Sequence, residues 1–187
     1  MTASVATSTL TAGTWTADVM HSDVSFTVRH MGVGRVRGTF AINSATLYVG
    51  PAGVAQASAT AEIDATSVDT KQQQRDADIR STNFLDVDNH PTIDFVSTSV
   101  RNFDGRKFVL SGVLTIRGVT NLVELAVECH GETLDLFNFT RAGFTATTTI
   151  SRRAFGVKYD ALFGAGNVVV ADNVEIAIDL EFIRHGD

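Results

Sequence analysis

The stretch Val24-Ser25-Phe26-Thr27-Val28-Arg29-His30-Met31 puts Val24, Phe26, Val28 and His30 on one parity and Ser25, Thr27 and Arg29 on the other. A period of two belongs to an extended strand with one buried face, because successive side chains of a strand point to opposite sides. The pattern returns along the chain. Val36, Gly38, Phe40 and Ile42 oppose Arg35, Arg37 and Thr39, and Phe108, Leu110, Gly112, Leu114 and Ile116 oppose Lys107, Val109, Ser111 and Thr115. Val123, Leu125, Val127 and Cys129 continue the series, as do Phe144, Ala146, Thr148 and Ile150 against Thr145, Thr147 and Thr149. The last run alternates Val174, Ile176, Ile178, Leu180 and Phe182 with Glu175, Ala177, Asp179 and Glu181.

Turn-type residues separate these runs at 31–34, 50–53, 104–105, 117–118 and 164–167, and Asp104-Gly105 is the strongest hairpin signal among them. Roughly eight to ten short strands with one wet face each predict an antiparallel barrel or sandwich, not a parallel sheet wrapped in helices. Composition agrees, since Val, Ile, Thr, Phe, Tyr and Trp make up 69 of the 187 residues and suit a pleated surface. One domain fits this length. Residues 1–13, rich in Thr, Ser and Ala, are expected to be a flexible start, and residues 14–187 a single β domain. The exception to β structure is 70–84, where Lys71, the three glutamines, Arg75 and Asp76 predict a short helix capped by Asp69 or Thr70. Ile79 is its isolated apolar contact, so the helix is expected across the surface or mouth of the β body, with Asp76 and Arg80 spaced as a surface ion pair.

A formal charge of -6 argues against nucleic acid, which is bound through Lys and Arg displacing counterions. The single cysteine, Cys129, makes no intrachain disulfide and is expected as a small buried hydrophobe. The histidines His21, His30, His90, His130 and His185 form no pair with metal-ligand spacing, so no metal is expected. His21-Ser22 opens a strand without a nucleophile elbow and reads as a capping hydrogen bond. Apolar runs such as 168–171 are far short of the ~20 residues a membrane-crossing helix needs. The start of the chain has neither a basic nor a long apolar segment, so no signal peptide is read there and a cytoplasmic location is expected.

The inward faces carry the functional signal, because their volumes decide whether a closed sheet is filled or holds a guest. Ala55, Ala57, Ala59, Ala61 and Ile63 give one whole strand little bulk, and Gly38 and Gly112 leave further gaps among Phe, Leu and Ile. A guest among Phe26, Phe40, Phe95, Leu110, Leu114, Phe144 and Ile176 would be apolar, since no inward charge recurs to pair with one. Periodicity alone leaves two outcomes open: a lipid cavity, or a core in which the alanines are covered by large side chains opposite them or by the Thr70 to Phe84 segment.

Trp15, Asp18, then His21 to Met31 and Val36-Arg37-Gly38-Thr39-Phe40 resemble the opening of the YceI-like family. In the same order come Ser67-Val68-Asp69-Thr70, Arg75-Asp76, Ile79 to Asp86, His90-Pro91-Thr92-Ile93-Asp94-Phe95, Gly112 to Thr120 and Ile150 to Gly156, so the resemblance runs from about Trp15 to Phe182. It implies a lipocalin-like antiparallel β-barrel of about eight strands with one short helix. The implied function is binding, sequestration or transport of a polyisoprenoid, such as an isoprenoid quinone or its precursor, in a hydrophobic pore without catalysis. Two departures stand out: many members carry a secretion leader, and the His often found after the Arg-Asp pair is Asp78 here.

The expected pore lining is Phe26, Val28, His30, Gly38, Phe40, Ala57, Ala59, Ile63, Phe84, Phe95, Leu110, Gly112, Leu114, Leu125, Phe144 and Ile176. Arg75, Arg80 and Arg152, with Arg153 beside it, are candidates for a diphosphate or quinone head because guanidinium forks match such oxygens, ordinary ion pairing being the alternative. His30 has inward parity and reads as a satisfied core group or a polar marker at one end. The 134–139 loop, with Leu134, Leu136, Phe137 and Phe139, is too apolar for one strand face. It is expected to close the pore or meet a second copy in a homodimer, ahead of transient membrane contact, for want of a basic cluster. No cofactor is expected beyond the bound lipid. The rival readings are an enzyme acting on a prenyl-lipid head and an interaction protein with a filled barrel.

Overall fold

In the computed structural model, which describes residues 10–163 and 167–186, the alternating stretches become antiparallel strands. In chain order the elements are β1 (Gly13–Ala17), β2 (Asp23–His30), β3 (Gly34–Phe40), β4 (Ile42–Gly50), β5 (Gly53–Asp64), helix α1 (Gln73–Arg80), β6 (Thr92–Arg101), β7 (Lys107–Ile116), β8 (Val119–Leu134), β9 (Thr140–Ser151), β10 (Leu162–Phe163), β11 (Asn167–Val168) and β12 (Val170–Arg184). Apart from the two-residue pair β10–β11, they form one sheet that runs β1-β4-β5-β6-β7-β8-β9-β12 and closes by pairing of β12 with β1. β12 pairs with β9 along one edge; its other edge is shared, its first part taking β2 and its last three residues β1. β1 and β2 are therefore one stave interrupted by a 3-10 turn at Val19–His21, and β3 and β4 one stave bent at Ala41. The result is the closed antiparallel barrel of eight staves with one helix that the sequence leads one to expect.

Strand direction places the 50–53, 101–107 and 134–140 connections and both chain ends at one end of the barrel. The 31–34, 65–91, 117–118 and 152–169 connections lie at the other, with α1. The terminal end is solid: Trp15 and Val49 are fully buried, with Leu10, Val54, Phe108 and Phe182 packed around them. At that end Arg141 ties three segments together. Its Nε donates to Asp135 Oδ2 at 2.6 Å, and its Nη1 donates to Asp18 Oδ2 at 2.7 Å and to Glu181. Asp135 Oδ1 in turn accepts from the amides of Phe137 and Phe139, which shapes the 134–139 loop.

At the α1 end the wall is laddered less completely. Beyond Ala41, β3 is bonded on its outer side only through Thr39, whose N–H and C=O pair with Asp69. The space beside it is filled by residues 65–91. Arg75 donates to the Thr70 hydroxyl and carbonyl, and Arg80 to the carbonyls of Thr66 and Val68, so this connection is held by side chains bonding main chain.

Several expectations change. The flexible start falls partly on residues 1–9, outside the described residues; from Leu10 on the chain is tied down, with Leu10 buried and Thr11 bonded to Glu132. The helix is shorter than 70–84. It starts after Gln72, which caps it by accepting from the Arg75 amide, because Thr70 and Asp69 are otherwise engaged: Asp76 Oδ1 accepts from the Thr70 amide and hydroxyl. Asp76 is thereby buried and makes no surface pair with Arg80. Two-residue hairpins form at Pro51-Ala52, where Gly50 pairs with Gly53, and at Arg117-Gly118, where both φ angles are positive (52° and 70°) and Ile116 pairs with Val119. Asp104-Gly105 sits in a longer connection, where Asp104 Oδ1 accepts from the amides of Arg106 and Lys107.

The Arg141 hydrogen bond, followed by that of His21, holds the Asp18 carboxyl down at about 2 from its ordinary 3.8. A carboxylate whose folded pKa is depressed stabilises the fold above its unfolded pKa, and this contribution is lost as pH falls through the folded value. We predict that Arg141→Gln lowers stability near neutral pH and flattens its decline between about pH 4 and pH 2. Urea unfolding across that window checks it, and an acid limb unchanged by the substitution would refute the linkage.

Candidate functional site

Below the α1 end the inward faces of the barrel do not meet. They enclose a cavity of about 290 Å³ that reaches from Leu10 and Phe182 near the terminal end to Phe84, Val157 and Val170 at the other, a size at the lower edge of small-molecule sites. Of the expected lining, Phe26, Val28, Phe40, Ala57, Ala59, Ile63, Phe84, Phe95, Leu110, Leu114, Leu125, Phe144 and Ile176 all border it. The low bulk of β5 is part of the reason. Ala57, Ala59 and Ala61 face the cavity, while Ala55 is exposed because the ladder with β4 is irregular between Tyr48 and Gly50.

The glycines act differently from expectation. A Cβ at Gly112 would lie 2.4 Å from the Phe95 ring, and one at Gly38 would lie 2.6 Å from the Phe26 ring and 2.8 Å from Thr70 Cγ2. The space beside each glycine is filled by an aromatic ring of the adjacent strand, so neither Gly38 nor Gly112 opens room for a guest. His30 is also displaced from the expected set. It follows the inward parity, yet lies exposed at the end of β2 beside the 31–34 turn.

The rest of the lining comes from β4 and from the irregular connections at the α1 end. Ile42, Ala45 and Leu47 line it from β4, whose alternation is broken by a bulge between Ile42 and Ser44. Ile79, Phe84 and Leu85 come from the 65–91 connection, and Phe155 and Val157 from the segment after β9. The Phe84 and Tyr159 rings stack at 4.6 Å, which joins these two segments over the α1 end.

Among the described lining residues, Arg152 is the single ionisable one, and no His, Cys, Asp or Glu borders the cavity. Arg152 is buried, and burial lowers its pKa from the ordinary guanidinium value. Its donors are directed to main chain: Nε to Ala171 O, Nη1 to Val157 O at 2.6 Å, and Nη2 to Tyr159 O and Val170 O. It thus clips the segment after β9 onto the start of β12. Arg75 and Arg80 do not line the cavity and are spent on carbonyls of the 66–70 stretch. Arg153 pairs with Asp160 at 2.6 Å. The three head-group candidates thus bond main chain in this structure, Arg152 while bordering the cavity, and sequence cannot distinguish that from ligand binding because backbone carbonyls and phosphate oxygens attract the same donors.

The remaining candidates lie away from the cavity. His21 Nδ1 contacts Asp18 Oδ2 at 2.9 Å and Ser22 Oγ donates to Asp18 O, so the pair caps the turn after β1. Asp18, His21 and Glu181 converge as metal ligands would, but Arg141 already supplies positive charge to both carboxylates. Cys129 is buried in the core. The 134–139 loop does not close the pore: it projects from the terminal end with Leu136 98% exposed.

Residues 15–182 match the profile of the YceI-like domain. A UPF0312 protein of Ectopseudomonas mendocina is 33% identical over 164 residues, covering 88% of this chain and 83% of that one. A UPF0312 protein of Vibrio cholerae is 30% identical over 149 residues, covering 80% and 77%. Among solved structures, BcnA of Burkholderia cenocepacia superposes with a TM-score of 0.75 at 26% identity, over 88% of this chain and 98% of that one. A polyisoprenoid binding domain from Saccharophagus degradans shares the fold, with a TM-score of 0.64 at 14% identity over 94% of this chain and all of that one. With a matching profile over nearly its whole length and a barrel that agrees in fold with these structures, the chain belongs to the YceI-like domain family.

Proposed function

We propose that this protein binds an elongated apolar lipid, a polyisoprenoid chain such as that of an isoprenoid quinone or its precursor, and sequesters or carries it without chemical change. The observation that carries this reading is the lining of the cavity, which is apolar from end to end with a single ionisable side chain. The polyisoprenoid binding named for the Saccharophagus degradans domain supports the choice of lipid class. The tail lies along β5, β7, β9 and β12, and the head stays at the α1 end, where water can solvate it without a charged receptor.

The chemistry of the lining supports binding without turnover. Proton transfer needs a titratable group within hydrogen-bond reach of the reacting atom, and Arg152 is engaged with four carbonyls. Affinity instead comes from burial, at ~0.8 kcal/mol per methylene, which is about fourfold per added CH₂. Affinity for a homologous series of alkyl or prenyl alcohols is expected to rise by about that factor per carbon and then level off once the cavity is filled.

The direct test is lipid extraction and mass spectrometry of protein purified without detergent. A prenyl lipid is expected at a stoichiometric level, and Ala59→Phe, which places a ring in the cavity, is expected to lower prenyl-chain affinity at least tenfold while leaving the β circular dichroism unchanged. Repeated absence of any apolar ligand, together with no measurable affinity for added prenyl chains, would overturn the assignment. Turnover of a prenyl substrate would favour the enzymatic alternative.

A further inference from the structure

Most basic residues of this acidic chain are engaged, in one of two ways. Arg75, Arg80, Arg117 and Arg152 donate to main-chain carbonyls, and Arg101, Arg106, Arg141, Arg153, Lys71 and Lys107 pair with carboxylates. Arg184 is also engaged. Among the described residues, those left with no partner are Arg29, Arg35, Arg37 and Lys158, and all four lie at the α1 end. Three of them share the outer face of the β2–β3 hairpin. Arg29 pairs in register with Arg35, and Thr27 with Arg37, so like charges stand directly across the ladder. Such a pair destabilises a sheet, and here both arginines are exposed with no carboxylate bonded to either.

The tip of the same hairpin is apolar. Met31 and Val33 flank Gly32 in the turn, with Val33 88% exposed. The Met31 amide donates to Val169 O and the Val169 amide to Ala161 O, which brings the exposed Leu162 beside the tip. Inside the hairpin, Phe26 and Val28 line the cavity, as does Val170 opposite His30. Apolar tip, basic flank and cavity mouth therefore belong to one projection. The acids on the adjoining elements are mostly engaged: Asp172 accepts from Ser151 and the Arg153 amide, Asp160 pairs with Arg153, and Asp69 with Lys71. Glu175, across β2 from Arg37, and Asp88 of the 65–91 connection are exposed without a basic partner.

We propose that the β2–β3 hairpin docks the barrel, mouth first, on an anionic lipid bilayer, with Met31 and Val33 entering the interface and Arg29, Arg35 and Arg37 against the headgroups. Charge complementarity selects this occupant. The chain as a whole carries a charge of -6, so an anionic membrane attracts it only through a local basic cluster such as this one, which orients the approach as well as drawing it in. The exposed apolar loop at 134–139 has no comparable flank, because Arg141 beside it is consumed by Asp18, Asp135 and Glu181. The proposal rests on the lipid-binding reading for its purpose, but its physical content can be measured separately.

The test is flotation of the full chain with vesicles of phosphatidylcholine, with and without phosphatidylglycerol. Binding is expected only with the anionic lipid and should fade as salt rises from about 0.1 M to 1 M, which shortens the screening length from ~10 Å to ~3 Å. Each arginine near an anionic surface is worth roughly fivefold in affinity, so replacing all three (Arg29→Gln, Arg35→Gln, Arg37→Gln) should cost about a hundredfold. Val33→Asp should weaken binding while keeping its salt dependence. The control pair Leu136→Asp and Phe137→Asp, at the opposite end, should bind as the parent does. No binding of the parent to anionic vesicles, full binding by the triple variant, or loss of binding in the control pair would each overturn the proposal. Mass spectrometry of lipid carried by the same preparations separates the two readings. Lipid carried without vesicle binding sinks docking alone, and docking with neither carried lipid nor affinity for added prenyl chains sinks the lipid-carrier assignment alone.

Discussion

Closure of the sheet through β12 is the constraint on which everything else depends. Its outer edge serves two strands, β2 and then β1, while its inner edge runs against β9 for eleven residue pairs from Asn173 to Ile183. Because side chains alternate strictly, a slip of one residue in any of these ladders would turn Val174, Ile176, Ile178, Leu180 and Phe182 to water. Register is thus set by burial, and burial in a closed sheet defines an inside. What that inside contains is then a matter of volume. Filling about 290 Å³ with its own side chains would gain the chain on the order of 7 kcal/mol at ~24 cal/mol per Å³. That is comparable with the whole stability of a typical domain. Ala57, Ala59 and Ala61 forgo that gain on the strand where larger residues would recover it most directly.

The barrel's ends solve the opposite problem, that of backbone groups with no ladder partner. A buried carbonyl left without a donor costs about 1–3 kcal/mol, and the connections at the α1 end carry many. Arg75, Arg80, Arg117 and Arg152 meet that need by bonding carbonyls of Thr70, Thr66, Val68, Phe84, Val157, Tyr159 and Val170. Guanidinium suits the task, with several donors in one rigid plane. Clipping irregular chain in this way keeps Ile79, Phe84, Phe155 and Val157 over the cavity, so frame and function are joined through charge spent on main chain.

The strand parities of β2, β3, β7, β8, β9 and β12 were legible because each has one wet and one dry face. β4 was not, since its bulge breaks the alternation at Asn43, and β1 is too short to show a period. The alanine run on β5 was read for what it is, low volume facing inward. Gly38 and Gly112 were misread for a physical reason: a missing side chain looks like free space in one dimension, whereas in the sheet the vacancy belongs to the ring across the ladder. The main-chain bonding of the arginines at the α1 end was illegible for a similar reason, because sequence shows the donor and not which acceptor lies within reach. The lining from 79–85 and 155–157 had no periodic signal, being carried by chain that is mostly irregular.

The half-free edge of β3 has a mechanical meaning. Around the rest of the circumference, widening the barrel would require rows of ladder bonds to part together. Beside β3, above the Thr39–Asp69 bridge, the neighbour is a clipped connection and not a strand. The barrel therefore has a seam, running up from Ala41 to the mouth, along which its girth can change at low cost. Along that seam the side chains can part while the closed portion of the sheet keeps a fixed diameter.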